Sequence, residues 1–314
     1  MKSSFAVLSL CTVAAALLPM GCCKMRSSCP TPSAEASVDD ARPTIKTVTS
    51  WSLYYGAATT DTVARLGGYG LVVIDPHALG PKSAETIAAL KAKGCIVAGY
   101  LSFVEVAKWH RYRSRIPREW YILRDDGSPW SPWAGKDVGW DANLAASLAE
   151  PGWRAMLCDL VQSEVLDYGC DGVFMDTLED VDFHTMPEKE KDRQVEGLRL
   201  LMAELDERYP KTFFIGNRTL QRALDAVAPH IDAVCWESFS PKYFKDNSSR
   251  GWMEMIAKRL KDATEKHGVR VISLWNVDAL YPEYESDKEQ VNKLSEERGY
   301  ILYCTVGGYS KLPK

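Results

Sequence analysis

The sequence contains no Cys-x-x-Cys pair and no His-Glu-x-x-His, and its five histidines (His77, His110, His184, His230 and His267) are scattered. Such a pattern gives a metal site no support, and neither a metal nor another cofactor is expected. Basic residues form no stripe and the formal net charge is only −4, which argues against nucleic acid and other polyanions as partners. No apolar run reaches the roughly 20 residues that a membrane span requires. Nine cysteines are present. Those beyond residue 46 (Cys95, Cys158, Cys170, Cys235 and Cys304) are odd in number and widely spaced, which reads as buried free thiols rather than a disulfide framework.

What is present begins with a targeting signature. Lys2 is followed by the apolar run Phe5 to Met20 and by Gly21, Cys22 and Cys23, so residues 1–23 read as an export signal rather than part of the fold. Leu18-Pro19-Met20-Gly21-Cys22 resembles a bacterial lipoprotein box, with Cys22 as the lipidated residue. The expected location is therefore the cell envelope, periplasmic or surface, with membrane attachment through the lipid; simple secretion is the alternative. Residues 24–46, rich in Ser, Pro, Ala and Asp, read as a flexible tether. Residues 47–314 remain for one domain, expected to be monomeric, and 46% hydrophobic residues suffice for one large core.

That domain alternates short apolar, β-branched runs with amphipathic segments, the rhythm of a parallel sheet with crossover helices. Eight runs are recognisable: Thr47–Gly56, Tyr69–Pro76, Cys95–Phe103, Gly172–Thr177, Phe213–Arg218, Ala233–Ser238, Val271–Asn276 and Ile301–Val306. Their centres (LVVID, GVFMD, AVCWE) are almost continuously hydrophobic, as in strands covered on both faces. Helical patterns span Ala84–Lys93, Gly152–Tyr168, Glu190–Arg208, Leu220–Val227, Gly251–His267 and Lys288–Arg298, and glycines that can cap them follow several. The fold predicted is an α/β, single-domain (β/α)8 TIM barrel, with the last helix expected to be missing or replaced by the N-terminal tether because only eight residues follow Val306. One connection, Val104 to Glu150, is far longer than a usual βα loop and carries Trp109, Trp120, Trp130, Trp133 and Trp140 with Tyr112 and Tyr121. Its aromatic faces suit stacking against sugar rings, but large aromatics also fasten long loops to a core.

Strand ends on one face of such a barrel build the active site, and here they are largely acidic or amide. Asp75 ends LVVIDP, Glu105 follows GYLSFV, Asp141 sits in GWDAN, Asp176 ends GVFMDT, Asn217 ends FFIGN, Glu237 ends AVCWES and Asn276 ends ISLWN. A charge at the end of a covered strand is costly to desolvate unless it is paired or employed. Glycosidic hydrolysis needs one carboxylic acid to protonate the leaving oxygen and one carboxylate to act as nucleophile or base. Asp176 and Glu237, ending the fourth and sixth strands, meet those needs. Trp236 and Cys235 precede Glu237, an apolar setting suited to an acid that must hold its proton. Asp176 lies beside Thr177, Glu179 and Asp180, a setting read as more solvated and suited to a carboxylate. Trp236 and Trp275, next to two strand ends, are counted with the candidate substrate-binding residues.

The order Tyr54-Tyr55, LVVIDP, GYLSFVEV, WDANLAASLAEPGWR, GCDGVFMDTLED, FIGNR and AVCWES resembles the Pel-type hydrolase domains. These belong to the glycoside hydrolase 114 and 166 grouping of endo-α-1,4-polygalactosaminidases. The resemblance spans roughly residues 47–306. It implies a TIM barrel that hydrolyses α-1,4-linked galactosamine-containing polymers, with Asp176 and Glu237 as the catalytic pair. It further implies that Tyr55, Asp75, Tyr100, Glu105, Asp141 and Asn217 line the substrate groove. An acidic mouth, with Glu179, Asp180, Asp182 and Asp278 added, suits a polysaccharide bearing ammonium groups. A surface lipoprotein that binds glycan without cutting it, and a barrel enzyme acting on another bond, are the alternatives.

Overall fold

The computed structural model describes residues 44–132, 139–277 and 284–312. Cys22, most of the tether, Trp133 and Asp278 lie outside the described residues. The eight apolar runs form eight strands: β1 (Trp51–Tyr54), β2 (Leu71–Ile74), β3 (Ile96–Ser102), β4 (Gly172–Asp176), β5 (Phe213–Asn217), β6 (Ala233–Glu237), β7 (Arg270–Val277) and β8 (Ile301–Val306). They pair in parallel in chain order. Ser102 stands opposite Asp176, Asn217 opposite Cys235 and Glu237 opposite Leu274. Two bonds draw the first and last strands together: Trp51 Nε1 donates to the Ile301 carbonyl at 2.9 Å, and the Tyr55 amide to the Tyr309 carbonyl at 2.7 Å. The sheet is thus a nearly closed (β/α)8 barrel.

Side chains alternate across each strand, and the alternation separates two cores. Trp51, Leu53, Leu71, Val73, Ala98, Phe174, Phe213, Ile215, Ala233, Cys235, Ile272, Leu274 and Tyr303 fill the barrel interior. Their neighbours along the chain, including Val72, Val97, Val173, Phe214, Val234 and Val271, pack outward against the helices. Both faces of each strand are covered, which is why these runs read as continuously hydrophobic.

The surrounding helices are α1 (Thr62–Leu66), α2 (Ser83–Ala92), α3 (Pro151–Leu160), α4 (Glu188–Arg208), α5 (Arg222–Val227), α6 (Pro241–Lys245), α7 (Asn247–His267) and α8 (Tyr284–Glu297). The five-residue α1 and α6 escape a periodicity reading because they are too short to show a stripe. Helix α3 continues through a π turn (Val161–Val165) and a 3-10 turn (Leu166–Tyr168), and left-handed Gly169 ends it at φ 93°. The apolar stripe of α4 faces the barrel: Leu198, Leu201, Met202 and Leu205 are fully buried, each contributing about 1.5–3 kcal/mol. Among the described residues no helix follows β8, and none is long and apolar enough to cross a membrane. All five cysteines of the barrel are free, and four of them are buried.

The long β3–α3 connection is folded on itself rather than loose. Glu105–Val106 pairs antiparallel with Leu144–Ala145, and Tyr121 bridges to Ala146. Tyr112, Tyr121 and Trp130 are buried in it, and the Arg118 guanidinium covers Trp140 at 4.6 Å from the ring centroid. Most of its aromatics therefore fasten the loop to the barrel, whereas Trp109 stands 69% exposed. Gln194 of α4 secures the end of the loop, accepting from the Leu148 amide at 2.7 Å and donating to Ser147 Oγ at 2.8 Å.

One turn further along α4, Gly197 lets the helix touch the loop backbone, because a Cβ there would lie 2.3 Å from the Leu148 carbonyl. Gly197→Ala is expected to destabilise the protein by about 1–3 kcal/mol through this overpacking. Gly251→Ala, in α7 where a Cβ meets nothing within 4 Å, is expected to stabilise it by about 0.5–1 kcal/mol. Denaturant melts of the two variants measure both; equal shifts would refute the close approach at Gly197.

Candidate active site

Following the inward side chains to the carboxyl ends of the strands leads to the site. Tyr100 follows Ala98, Asp176 follows Phe174, Asn217 follows Ile215 and Glu237 follows Cys235, each two positions on and on the same inward face. Tyr55 stands just past β1, its ring 5.0 Å from that of Tyr100 and 5.9 Å from that of Tyr309. The inward residues of three neighbouring strands thus bring Asp176, Asn217 and Glu237 into contact.

The Asn217 amide nitrogen lies 2.8 Å from Asp176 Oδ1 and 2.8 Å from Glu237 Oε2. Only the NH2 end of the amide can face two carboxylates, and it spends one hydrogen on each. The two acid oxygens can therefore be no farther apart than twice that bond length. Tyr309 donates its hydroxyl to the other Glu237 oxygen at 2.6 Å. Tyr100 donates to Asp176.

Burial raises the Asp176 carboxyl above its ordinary range; the Asn217 bond opposes that shift and the charge of Glu237 adds to it. The expectation that Asp176 sits in a solvated setting is corrected here, because the barrel mouth and not the following loop surrounds its carboxyl. Neighbouring Glu179 is pushed up to about 8 by burial and by Asp176, although Arg218, 3.3 Å away, pulls it down. Asp180 is fully buried, and desolvation holds it well above the usual carboxylate range. Burial likewise raises the Tyr55, Tyr100 and Tyr309 hydroxyls, keeping them as donors.

Each of the three strand-end residues is followed by a non-glycine residue in the left-handed region: Thr177 at φ 65°, Arg218 at 51° and Ser238 at 62°. Such residues cost on the order of 1–3 kcal/mol each and persist where the surroundings over-determine them. At Thr177 the cause is visible. Its hydroxyl accepts from the Val104 and Glu105 amides, both at 3.0 Å, and so ties the root of the long loop to the end of β4.

Two cavities meet at Glu179, Arg218 and Glu237. One, of about 480 Å³, runs past Tyr55, Asp75, Tyr100, Glu105, Trp109 and Asp176. The other, of about 500 Å³, runs past Asp182, Gln221, Ser238, Tyr243 and Trp252. Together they form a cleft across the barrel mouth with Glu237 at its centre. On its first rim His77 and Arg111 bond to Glu164 and hold that carboxyl below its ordinary range.

Of the residues singled out in the sequence, Tyr55, Asp75, Tyr100, Glu105, Asp176 and Glu237 line the cleft, Trp236 borders its second lobe while almost wholly buried, and Asn217 lies beneath it. Asp75 Oδ1 accepts from the His77 amide at 2.8 Å, and Asn143 donates to Glu105 at 2.9 Å. Asp141 is exposed and lines neither lobe; Asn143, two residues on, takes the inward place. Trp236 packs against Phe239, Phe244 and Tyr300, and Trp275 is 2% exposed in the same outer core. Both tryptophans belong to the outward parity of their strands, so neither presents a free ring face to a sugar. Tyr309, Arg218, Trp252 and Tyr243 were not singled out. Arg218 stood next to Asn217 in FIGNR; the others follow no acidic strand end.

Asn217→Ala removes the donor that opposes the rise at Asp176, so that carboxyl is expected to titrate at still higher pH, followed by NMR of labelled aspartate. An unchanged or lower midpoint would sink the bridging role of the amide.

Comparison with known proteins follows this geometry. The glycoside hydrolase domain of PelA from Pseudomonas aeruginosa shares 20% identity and a TM-score of 0.64, covering 84% of this chain and 97% of that one. Ega3 of Aspergillus fumigatus, solved in complex with galactosamine, shares 14% identity and a TM-score of 0.59, covering 86% and 94%. The maltogenic α-amylase AmyB of Thermotoga neapolitana shares 12% identity and a TM-score of 0.56, covering 84% and 68%. At these identities the likeness is one of fold. No match is found among curated proteins. The model of glycoside-hydrolase family GH114 matches residues 31–245, more than half of the chain, and the protein therefore belongs to this family of glycoside hydrolases.

Proposed function

We propose that this glycoside hydrolase cuts α-1,4-linked galactosamine-containing polysaccharide internally, by a retaining mechanism with Asp176 as nucleophile and Glu237 as general acid and base. The contact of one Asn217 nitrogen with both acids carries the proposal. Retaining enzymes hold their carboxyl groups about 5–5.5 Å apart and inverting enzymes about 6.5–9.5 Å apart, and two bridged oxygens each 2.8 Å from one nitrogen support the shorter, retaining range.

In the first step an Asp176 oxygen attacks the anomeric carbon while Glu237 gives its proton to the glycosidic oxygen, and the leaving chain departs with that proton. In the second step Glu237, now a carboxylate, takes a proton from water. The water oxygen attacks the same carbon and releases Asp176. Two inversions leave the anomeric configuration unchanged and the net reaction adds one water. Asp176, deep in the mouth and poorly hydrated, is a strong nucleophile once ionised; Tyr100 and Asn217 fix its orientation. Tyr309 and Asn217 do the same for Glu237.

A cleft that extends on both sides of Glu237 supports internal cleavage. Asp75 and Glu105 on its first lobe support a sugar bearing an ammonium group. The galactosamine in the Ega3 complex is consistent with this choice of sugar. Lipidation at Cys22, with residues 24–46 as tether, would hold a monomeric enzyme at the cell envelope.

With a partially deacetylated α-1,4-galactosamine polymer, wild-type protein is expected to release reducing ends with the α configuration in early NMR spectra; β products would overturn retention. Asp176→Asn and Glu237→Gln are each expected to lower kcat on the order of 10²–10⁴-fold. Substantial activity in either would remove that residue from the pair. Cys22→Ala is expected to abolish incorporation of labelled palmitate, and unchanged labelling would refute the anchor.

A further inference from the structure

The second lobe of the cleft differs chemically from the first, although the two have nearly equal volumes. Besides Glu237, its acids are each engaged by an arginine: Glu179, which both lobes share, lies 3.3 Å from Arg218, and Asp182 lies 3.8 Å from Arg222. Its floor includes Leu220, Ala223 and Met253, all buried. Its wall is formed by Tyr243 of α6 and Trp252 of α7, each 42% exposed and among the few large apolar side chains left in contact with solvent. Exposing two such rings on one lobe is unfavourable unless a ligand covers them. The lobe is continuous with Glu237, so the ligand that reaches it is the chain being cut.

We infer that this lobe takes a neutral, N-acetylated amino-sugar unit, stacked on Trp252 and Tyr243. The first lobe takes the ammonium-bearing unit on the other side of the scissile bond. The inference rests on the galactosaminidase reading above and refines it: the enzyme recognises an acetylation pattern, not merely a sugar. Acetylation removes the positive charge that the paired acids cannot neutralise a second time, and it adds a methyl group that the apolar floor can cover. Stacking supplies the remainder through the carbon-bound hydrogens of the ring.

The test uses α-1,4-linked N-acetylgalactosamine and galactosamine oligomers as separate probes, with calorimetry on the Asp176→Asn protein so that nothing is cleaved. Adding Trp252→Ala is expected to weaken binding of the acetylated oligomer about tenfold and to leave the deacetylated one nearly unaffected. Trp252→Phe, which keeps a ring face, is expected to restore most of that binding and so exclude unfolding. With wild-type enzyme and a partially acetylated polymer, mass spectrometry is expected to find one of the two newly formed ends consistently acetylated. Random acetylation at both ends, equal loss for both oligomers, or a Trp252→Ala effect confined to self-association would each overturn the inference. If wild-type protein releases no reducing ends from any of these polymers, the galactosaminidase reading fails instead.

Discussion

The site depends on keeping two like-charged carboxyl groups next to each other in a poorly hydrated barrel mouth. Left alone, like charges held this close in a poorly hydrated site repel each other strongly. The Asn217 amide offsets the repulsion by giving one hydrogen to each acid, while Tyr100 and Tyr309 donate from the flanks. These donors come from β3, β5 and the turn after β8, so the barrel must be assembled and nearly closed before the pair has its full set of partners. Tyr309 ties this closure to the carboxyl pair directly: its carbonyl accepts from the Tyr55 amide at the seam, and its hydroxyl reaches Glu237.

The same demand explains the backbone around the mouth. Three left-handed non-glycine residues in succession, Thr177, Arg218 and Ser238, turn the chain sharply just after each strand-end group. Thr177 holds the loop root, and Arg218 partners the buried Glu179 at the junction of the two lobes. Around this centre stand the walls of the cleft. The β3–α3 loop furnishes one and α6 with the start of α7 furnishes the other, so the carboxyl pair and the walls of the cleft sit on separate elements.

Most of the fold was legible in the sequence because strands covered on both faces leave a simple trace. Seven of the eight strands lie within the runs recognised from their hydrophobic centres, β7 exceeds its run by one residue at each end, and six of the helices follow their amphipathic patterns. The short α1 and α6 left no such trace. Within the site, position at a strand end identified Asp176, Asn217 and Glu237, but it took no account of parity. Trp236 and Trp275 stand beside inward residues and therefore point outward, into the helix layer. Asp141 was misplaced for a different reason: loop residues have no period, and only the antiparallel pairing of Glu105–Val106 with Leu144–Ala145 decides that Asn143 meets Glu105.

The sequence by itself determined the barrel, its strand order and which acids end its strands, because hydrophobic pattern and chain order are local properties that a parallel sheet repeats. Tertiary structure alone decided the spacing of Asp176 and Glu237, their shared amide, the entry of Tyr309 from the far end of the chain and the pairing of Glu179 with Arg218. Those are distances between segments remote in sequence, set by how the sheet curls on itself. They depend on the closed barrel as a whole, and no pattern confined to one segment encodes them.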